Sequence, residues 1–344
     1  MKLAMALNYA GSAADTAKQV RDLEQAGLDQ IWVAEAYSYD AVSAMGYLAA
    51  ITERVEICSG ILPIYTRTPT LLAMSAAGID SLSGGRCILG LGASGPQVIE
   101  GFHGVAYDNP LGRTREIIDI CRSVWRRDRV QHTGKNYAIP LPEGQGTGLG
   151  KPLKLINHPV REQIPIYVAS LGPKNVAMTA EKADGWLPLF FYPEKANDVW
   201  GDDLAAGAAK RDASLGQLEV VAGGLCSIGE GAEKVREFMR PMMALYVGGM
   251  GAKGKNFYND LVCRYGFEQE AEQVQDLYLD GKKDEAAALL PDELLERTTL
   301  CGDEGYVKER IAAFKEAGVT VLNITPVAPD QAKLVEQLRN LVDA

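Results

Sequence analysis

Metal and nucleophile chemistry have little to work with in this sequence. Its 344 residues contain three histidines, His103, His132 and His158, in loop-like segments with no metal-ligand spacing between them. The six cysteines, Cys58, Cys87, Cys121, Cys226, Cys263 and Cys301, never form a CxxC pair, which excludes a zinc ribbon and a disulfide scaffold. Several lie inside apolar strands and read as small core residues. No HExxH, P-loop or GxSxG elbow occurs. Positive charge is short too: 35 Lys and Arg against 45 Asp and Glu leave a net charge of −10, and no basic run offsets it, which argues against a nucleic-acid surface. Long hydrophobic runs are missing. The apolar start, Leu3 to Leu7, ends at Asn8, too early for a signal peptide or a membrane span, so a soluble, cytoplasmic protein is expected. No internal repeat is visible.

What is present is alternation. Eight short apolar segments are predicted as strands: Leu3 to Leu7, Ile31 to Ala34, Val55 to Leu62, Arg86 to Leu91, Ile164 to Val168, Gly185 to Phe190, Leu218 to Cys226, and Val319 to Ile324. Helical patterns follow nearly every one. Eight strands alternating with helices predict an α/β chain wrapped as a (β/α)8 TIM barrel, a single domain over residues 1–344. Two segments exceed the minimal barrel and are expected at its carboxyl-terminal face. Residues 130–163 read as a hairpin and a Pro/Gly-rich rim loop. Residues 248–299 read as a flexible glycine hinge followed by short helices.

Ligand chemistry is suggested by three strand ends. Ser170-Leu171-Gly172-Pro173 turns from the fifth strand into a helix. Pro173 suits the first helical position and Gly172 permits close backbone approach, so the free N–H groups there would attract a phosphate. Glu35 ends the second strand, where barrel enzymes keep ligand-binding groups; it could accept from ring N–H groups, transfer a proton, or pair with Arg67. Gly60 ends the third strand, marking a bulge, a kink or a ligand contact. Gly90-Leu91-Gly92-Ala93-Ser94-Gly95 has GxGxxG spacing. It sits in the fourth βα unit with no acidic residue closing a next strand, so a barrel loop fits it better than a dinucleotide fingerprint. Lys174, Lys253, Lys255 and Arg264 are the cations that could meet an extended anion or simply face solvent.

The segments WVAEAYSYDAVSAMGYLAAITERVEICSGILPIYTRTP, LSGGRCILGLGASGPQVIEGFHGVAYDNPLGRTRE and IPIYVASLGPKNVAMTAEKADGWLPL resemble the luciferase-like monooxygenase superfamily. Within it they resemble the flavin- or deazaflavin-dependent oxidoreductases related to methylenetetrahydromethanopterin reductase. YVGGMGAKGKNFYNDLVCRYG and the closing barrel unit resemble the branch that uses coenzyme F420. The resemblance implies a TIM barrel holding F420, or alternatively FMN, at its carboxyl end. It implies a cis peptide at Gly60-Ile61 against the ring, with Glu35 touching the ring system. The loop Gly92-Ala93-Ser94-Gly95 would line the cofactor, and Ser170, Leu171, Gly172, Pro173 and Lys174 would carry its phosphate. Glu35, Tyr37 and Asp40 become the candidates for ring contact or proton handling. Relatives that oxidise a sugar phosphate place a histidine where this chain has Ala36, which sets it apart from them. The expected activity is hydride transfer with a small organic substrate, and the expected assembly a homodimer. An FMN-dependent monooxygenase and a non-catalytic cofactor-binding barrel are the alternatives.

Overall fold

The apolar segments become strands buried on both faces, as parallel strands covered by helices must be. A computed structural model describes residues 1–7 and 13–343. Asn8, expected to end the first strand, lies outside them. Eight strands, Lys2–Ala6, Gln30–Val33, Glu56–Ser59, Cys87–Gly92, Ile166–Ala169, Gly185–Leu187, Glu219–Ala222 and Val321–Pro326, pair in parallel in that order. Lys2↔Val321 to Met5↔Ile324 pairing closes the ring into a TIM barrel. Helices Ala13–Gln25, Ala41–Ile51, Pro69–Ser83, Pro110–Trp125, Pro173–Lys182, Pro193–Ala208 and Gln331–Asp343 stand outside it. Among the described residues, no helix is long and apolar enough to cross a membrane.

Three expectations are corrected, and one helix is added. The third strand does not run unbroken from Val55 to Leu62: it stops at Ser59, and only Leu62–Pro63 resumes pairing after a cis Gly60–Ile61 bond. The seventh breaks at Gly223-Gly224 and continues as Leu225–Ile228, which pairs with the end of the eighth strand and with Leu300–Gly302. The absence of a Cβ permits this, since one would lie 2.1 Å from the Asn323 carbonyl oxygen at Gly223 and 2.2 Å from that of Thr298 at Gly224. A further helix, Glu304–Glu316, precedes the eighth strand, capped by Asp303 accepting from the Tyr306 N–H at 2.7 Å and burying Val307, Ile311 and Phe314. The expected glycine hinge is packed: Leu245–Gly249 forms a π-helical turn, and a Cβ on Gly248 or Gly249 would lie 2.4 or 2.5 Å from the Tyr278 side chain.

His132–Thr133 and Ala138–Ile139 pair antiparallel, and an irregular segment leads from them to the fifth strand. The helical insertion begins earlier than expected, at Met239–Ala244, and continues through Phe257–Arg264, Glu268–Leu279, Lys283–Ala288 and Asp292–Arg297. Five of the six cysteines are buried as core residues, and Cys263 is half-buried.

Candidate active site

The barrel interior is filled only part of the way up. Ala4, Trp32, Cys58, Ile88, Tyr167, Val221 and Val321 form its packed middle layer. Side chains alternate along a strand, so the positions two residues further on also face inward, one level nearer the carboxyl end. Those positions are Ala6, Ala34, Gly60, Gly90, Ala169, Gly223 and Asn323, with Leu187 from the remaining strand. Barrels usually fill such a layer with bulky branched residues; here six of eight positions are Gly or Ala. At Gly90 and Gly223 backbone takes the space, since a Cβ would lie 1.8 Å from the Ser59 carbonyl oxygen and 2.1 Å from that of Asn323, so the shallow basin at the mouth is left by the other small residues. Its polar member is Asn323, whose buried Oδ1 has no hydrogen-bond partner among the described residues, an orphan of the kind a ligand satisfies.

One wall of the basin is the third-strand bulge. Ile61 leans over the fourth strand, so a Cβ on Gly92 would sit 2.8 Å from Ile61 Cγ1 and 3.5 Å from Ala169 Cβ. Gly60, Ile61, Gly92 and the fifth strand are thereby brought together. Ala93 is half-buried behind Gly92, while Ser94 is exposed at φ 57°, its carbonyl accepting from the Tyr107 hydroxyl at 3.4 Å. The glycine-rich motif is a strand end and loop leading into the short helix Pro96–Gly101.

On the next side stands a charge cluster. The register Val33↔Ser59 carries Glu35 to the level of Ile61. Arg67 donates to both Glu35 oxygens, at 2.5 and 2.8 Å, and to Asp40 at 2.5 Å. The Ala41 N–H adds a 3.0 Å bond to Glu35. Bonding to Glu35 raises the Arg67 pKa further, against the opposing effect of burial. Asp40 also caps its helix, accepting from the Ser43 N–H and hydroxyl at 2.8 and 2.7 Å. Burial alone would raise its pKa, but these bonds and Arg67 bring it below the ordinary value. Tyr37 does not join the cluster: it is 69% exposed and tilts against Phe102, ring centroids 6.2 Å apart.

The fifth-strand turn is pinned from behind. The indole N–H of Trp186 donates to the Ser170 carbonyl at 2.9 Å and that of Trp200 to the Leu171 carbonyl at 3.0 Å. Ser170 is buried, its hydroxyl turned to Thr179 at 2.9 Å, so it braces the turn. Among the described backbone bonds, the Gly172 and Lys174 N–H groups donate to nothing. They open the helix Pro173–Lys182, whose positive end suits an anion. Space exists there: among the described residues, a Cβ on Gly172 would meet only Phe257, at 3.9 Å. Lys174 is exposed and without an ion pair among the described residues, as is Lys255, whereas Lys253 pairs with Asp276 and Arg264 bonds the Val199 carbonyl.

Tyrosines complete the rim, and sequence reasoning passed over them. Tyr65 and Tyr107 lie 5.2 Å apart by ring centroid, and Tyr258 of the helical insertion packs edge-on against Phe190 and Tyr246, at 6.2 and 4.7 Å. Burial pushes the Tyr107 and Tyr258 phenols up, so both stay protonated donors at neutral pH. The histidines stand apart: His132 contacts Glu116 at 3.0 Å, His158 contacts Arg127 at 3.2 Å, and His103 packs edge-on against Phe102. Among the described residues, no group of three His, Cys, Asp or Glu is placed to hold a metal ion.

A planar ring with an anionic tail fits these residues: a low floor, an orphaned acceptor and open N–H groups at a helix start. The family model of luciferase-like monooxygenases matches residues 1–321. A Mycobacterium tuberculosis protein named as a coenzyme F420-dependent oxidoreductase is 41% identical over 339 residues, which cover 97% of both chains. The 5,10-methylenetetrahydromethanopterin reductase of Archaeoglobus fulgidus is 28% identical over 325 residues, 92% of this chain and 91% of that one. In fold, the coenzyme F420-dependent tetrahydromethanopterin reductase structure from Methanopyrus kandleri superposes with a TM-score of 0.82, at 22% identity, over 99% of this chain and 98% of its own. The chain belongs to the luciferase-like monooxygenase family.

Proposed function

We infer that this chain is a coenzyme F420-dependent oxidoreductase that moves a hydride between the deazaflavin and a small organic substrate. The observation that carries the reading is the Gly/Ala basin beside an anion-ready helix start, in a chain similar from end to end to proteins named for F420. The bound cofactor supplies the carbon that gives or takes the hydride; the protein supplies position and electrostatics. The Gly172 and Lys174 N–H groups, with the Lys174 charge, hold the phosphate. Gly60, Ile61, Gly92, Ala93, Ser94 and Gly95 would form the floor and one side, and Asn323 would supply a hydrogen bond to the ring. Glu35 keeps an unused lone pair on Oε1, since Oε2 already accepts from Arg67 and the Ala41 N–H, and Oε1 would accept from a ring N–H. Asp40 acts through Arg67 as a positioning residue. Tyr37, free at the rim, is the proton carrier nearest solvent among the three.

We read the chain as one barrel domain, acting in the cytoplasm, where six free cysteines would persist. We also read it as a homodimer: Leu71, Met74 and Leu82 form an exposed apolar stripe along Pro69–Ser83, beside exposed Tyr47 on Ala41–Ile51.

The test is anaerobic turnover of reduced F420 against aldehydes, ketones, enones and imines. Cofactor oxidation that depends on one of these substrates supports the reading. F420 binding without turnover would leave a storage protein, and oxygen consumption with reduced FMN would make it a monooxygenase.

A further inference from the structure

A cleft of about 520 Å³ lies beside the basin, between the segment after the third strand and the rim hairpin. That volume suits a small organic ligand. Its floor is apolar, from Ile64 and Ile139, and Tyr65 and Tyr137 form a wall around Arg113, whose guanidinium lies 5.6 and 5.4 Å from their ring centroids. Arg67 lines the end nearest the barrel.

Two contacts tie this cleft to the basin. Arg67 reaches from the cleft to Glu35, and Tyr65 packs on Tyr107, which bonds the Ser94 carbonyl. Ile64 also follows Ile61 by three residues, at most about 10 Å along an extended chain. A molecule seated in the cleft therefore has one end at the edge of the basin.

Charge decides what kind of molecule. Arg67 is shared by Glu35 and Asp40, and Arg113 is held by Asp108 through bonds of 2.7 and 2.9 Å. Two guanidiniums facing three carboxylates leave no spare positive charge for a phosphate or carboxylate. Besides the two arginines and the tyrosines, the polar groups of the lining are the hydroxyls of Thr66, Thr68 and Thr70.

We propose that this cleft is the substrate site, and that its substrate is neutral and mainly apolar with a single carbonyl or hydroxyl oxygen directed toward Arg67. The assignment rests on the oxidoreductase reading, and its test separates the two. Saturation-transfer NMR with 2-cyclohexenone and cyclohexanone, and with glucose 6-phosphate as anionic control, is run on the protein with and without F420. F420 binding is measured separately by absorbance titration. Ala138→Trp fills the cleft from the hairpin and Val105→Trp from the opposite wall, so one misfolded variant leaves the other usable. The expected result is ketone or enone saturation transfer in the parent, at least tenfold weaker in either folded variant, with F420 affinity changed less than twofold. Absence of transfer from both probes in the parent, undiminished transfer in the filled variants, or preference for the sugar phosphate overturns the assignment. Loss of F420 binding in the parent would instead contradict the cofactor reading, and the cleft result would still stand on the cofactor-free sample.

Discussion

Arg67 grips Glu35 through both ends of its guanidinium, at 2.5 and 2.8 Å, with side chains only 13% and 9% exposed. The fork fixes the carboxylate at the level of Ile61 and takes one lone pair from each of its oxygens. Of the three roles open to Glu35 at the strand end, pairing with Arg67 is the one formed, and with the Ala41 N–H also on Oε2 the free lone pair is on Oε1.

Removing either partner strands the other. Arg67→Ala should lower stability by about 3 kcal/mol in urea unfolding and abolish substrate-dependent F420 turnover. Arg67→Lys keeps the charge without the fork and should recover stability in part and turnover little. Equal turnover in Arg67→Lys and the parent would show that the geometry of the pair is immaterial.

The basin and the helix start can be blocked separately. Ala169→Leu places a branched side chain in the floor, and Gly172→Leu fills the gap facing Phe257. Each should weaken F420 binding at least tenfold while the melting temperature stays within a few degrees, because neither position is tightly enclosed. Unchanged affinity in Gly172→Leu would move the phosphate elsewhere.

Glu24 gives a pH prediction away from the site. Its carboxylate accepts from the Glu53, Arg54 and Val55 N–H groups at 3.1, 2.6 and 2.7 Å, pinning the first helix to the turn before the third strand. Burial alone would raise its pKa, but the three N–H groups outweigh it and the net shift is downward. A lowered folded-state pKa means the stabilisation is present above the unfolded value, about 4.3, and is lost as pH falls through the folded one. Glu24→Ala should cost about 2 kcal/mol at pH 7 and flatten the acid limb of the stability profile. A variant with the parent's acid limb would assign that limb to other carboxylates.

The apolar stripe on Pro69–Ser83 predicts a dimer that charge can break. Met74→Asp should convert it to monomer in light scattering with the barrel intact. A parent that already runs as a monomer would contradict the homodimer.

Much of this was legible in the sequence because the signals were local. Pro173 at a helix start, Asp40 before a helix and apolar runs between turn residues each act within a few positions, and the barrel follows from counting them. Resemblance to a family supplied the Gly60–Ile61 peptide, which nothing in its neighbours' propensities requires. What stayed hidden depended on partners distant in the chain. The break at Gly223 answers to the backbone of Asn323, and the packing of Gly248 to Tyr278. The helix Glu304–Glu316 is different: Asp303 and the 307, 311, 314 spacing are local signals that announce it. The small-residue basin needed the strand register before six unremarkable glycines and alanines could be seen as one layer.

The most direct measurement is an equilibrium titration of the purified chain with F420 and with FMN. Saturable micromolar binding of F420, with FMN at least a hundredfold weaker and Gly172→Leu impaired, is the predicted result. Micromolar binding of FMN with none of F420 would contradict the assignment of this barrel to deazaflavin chemistry.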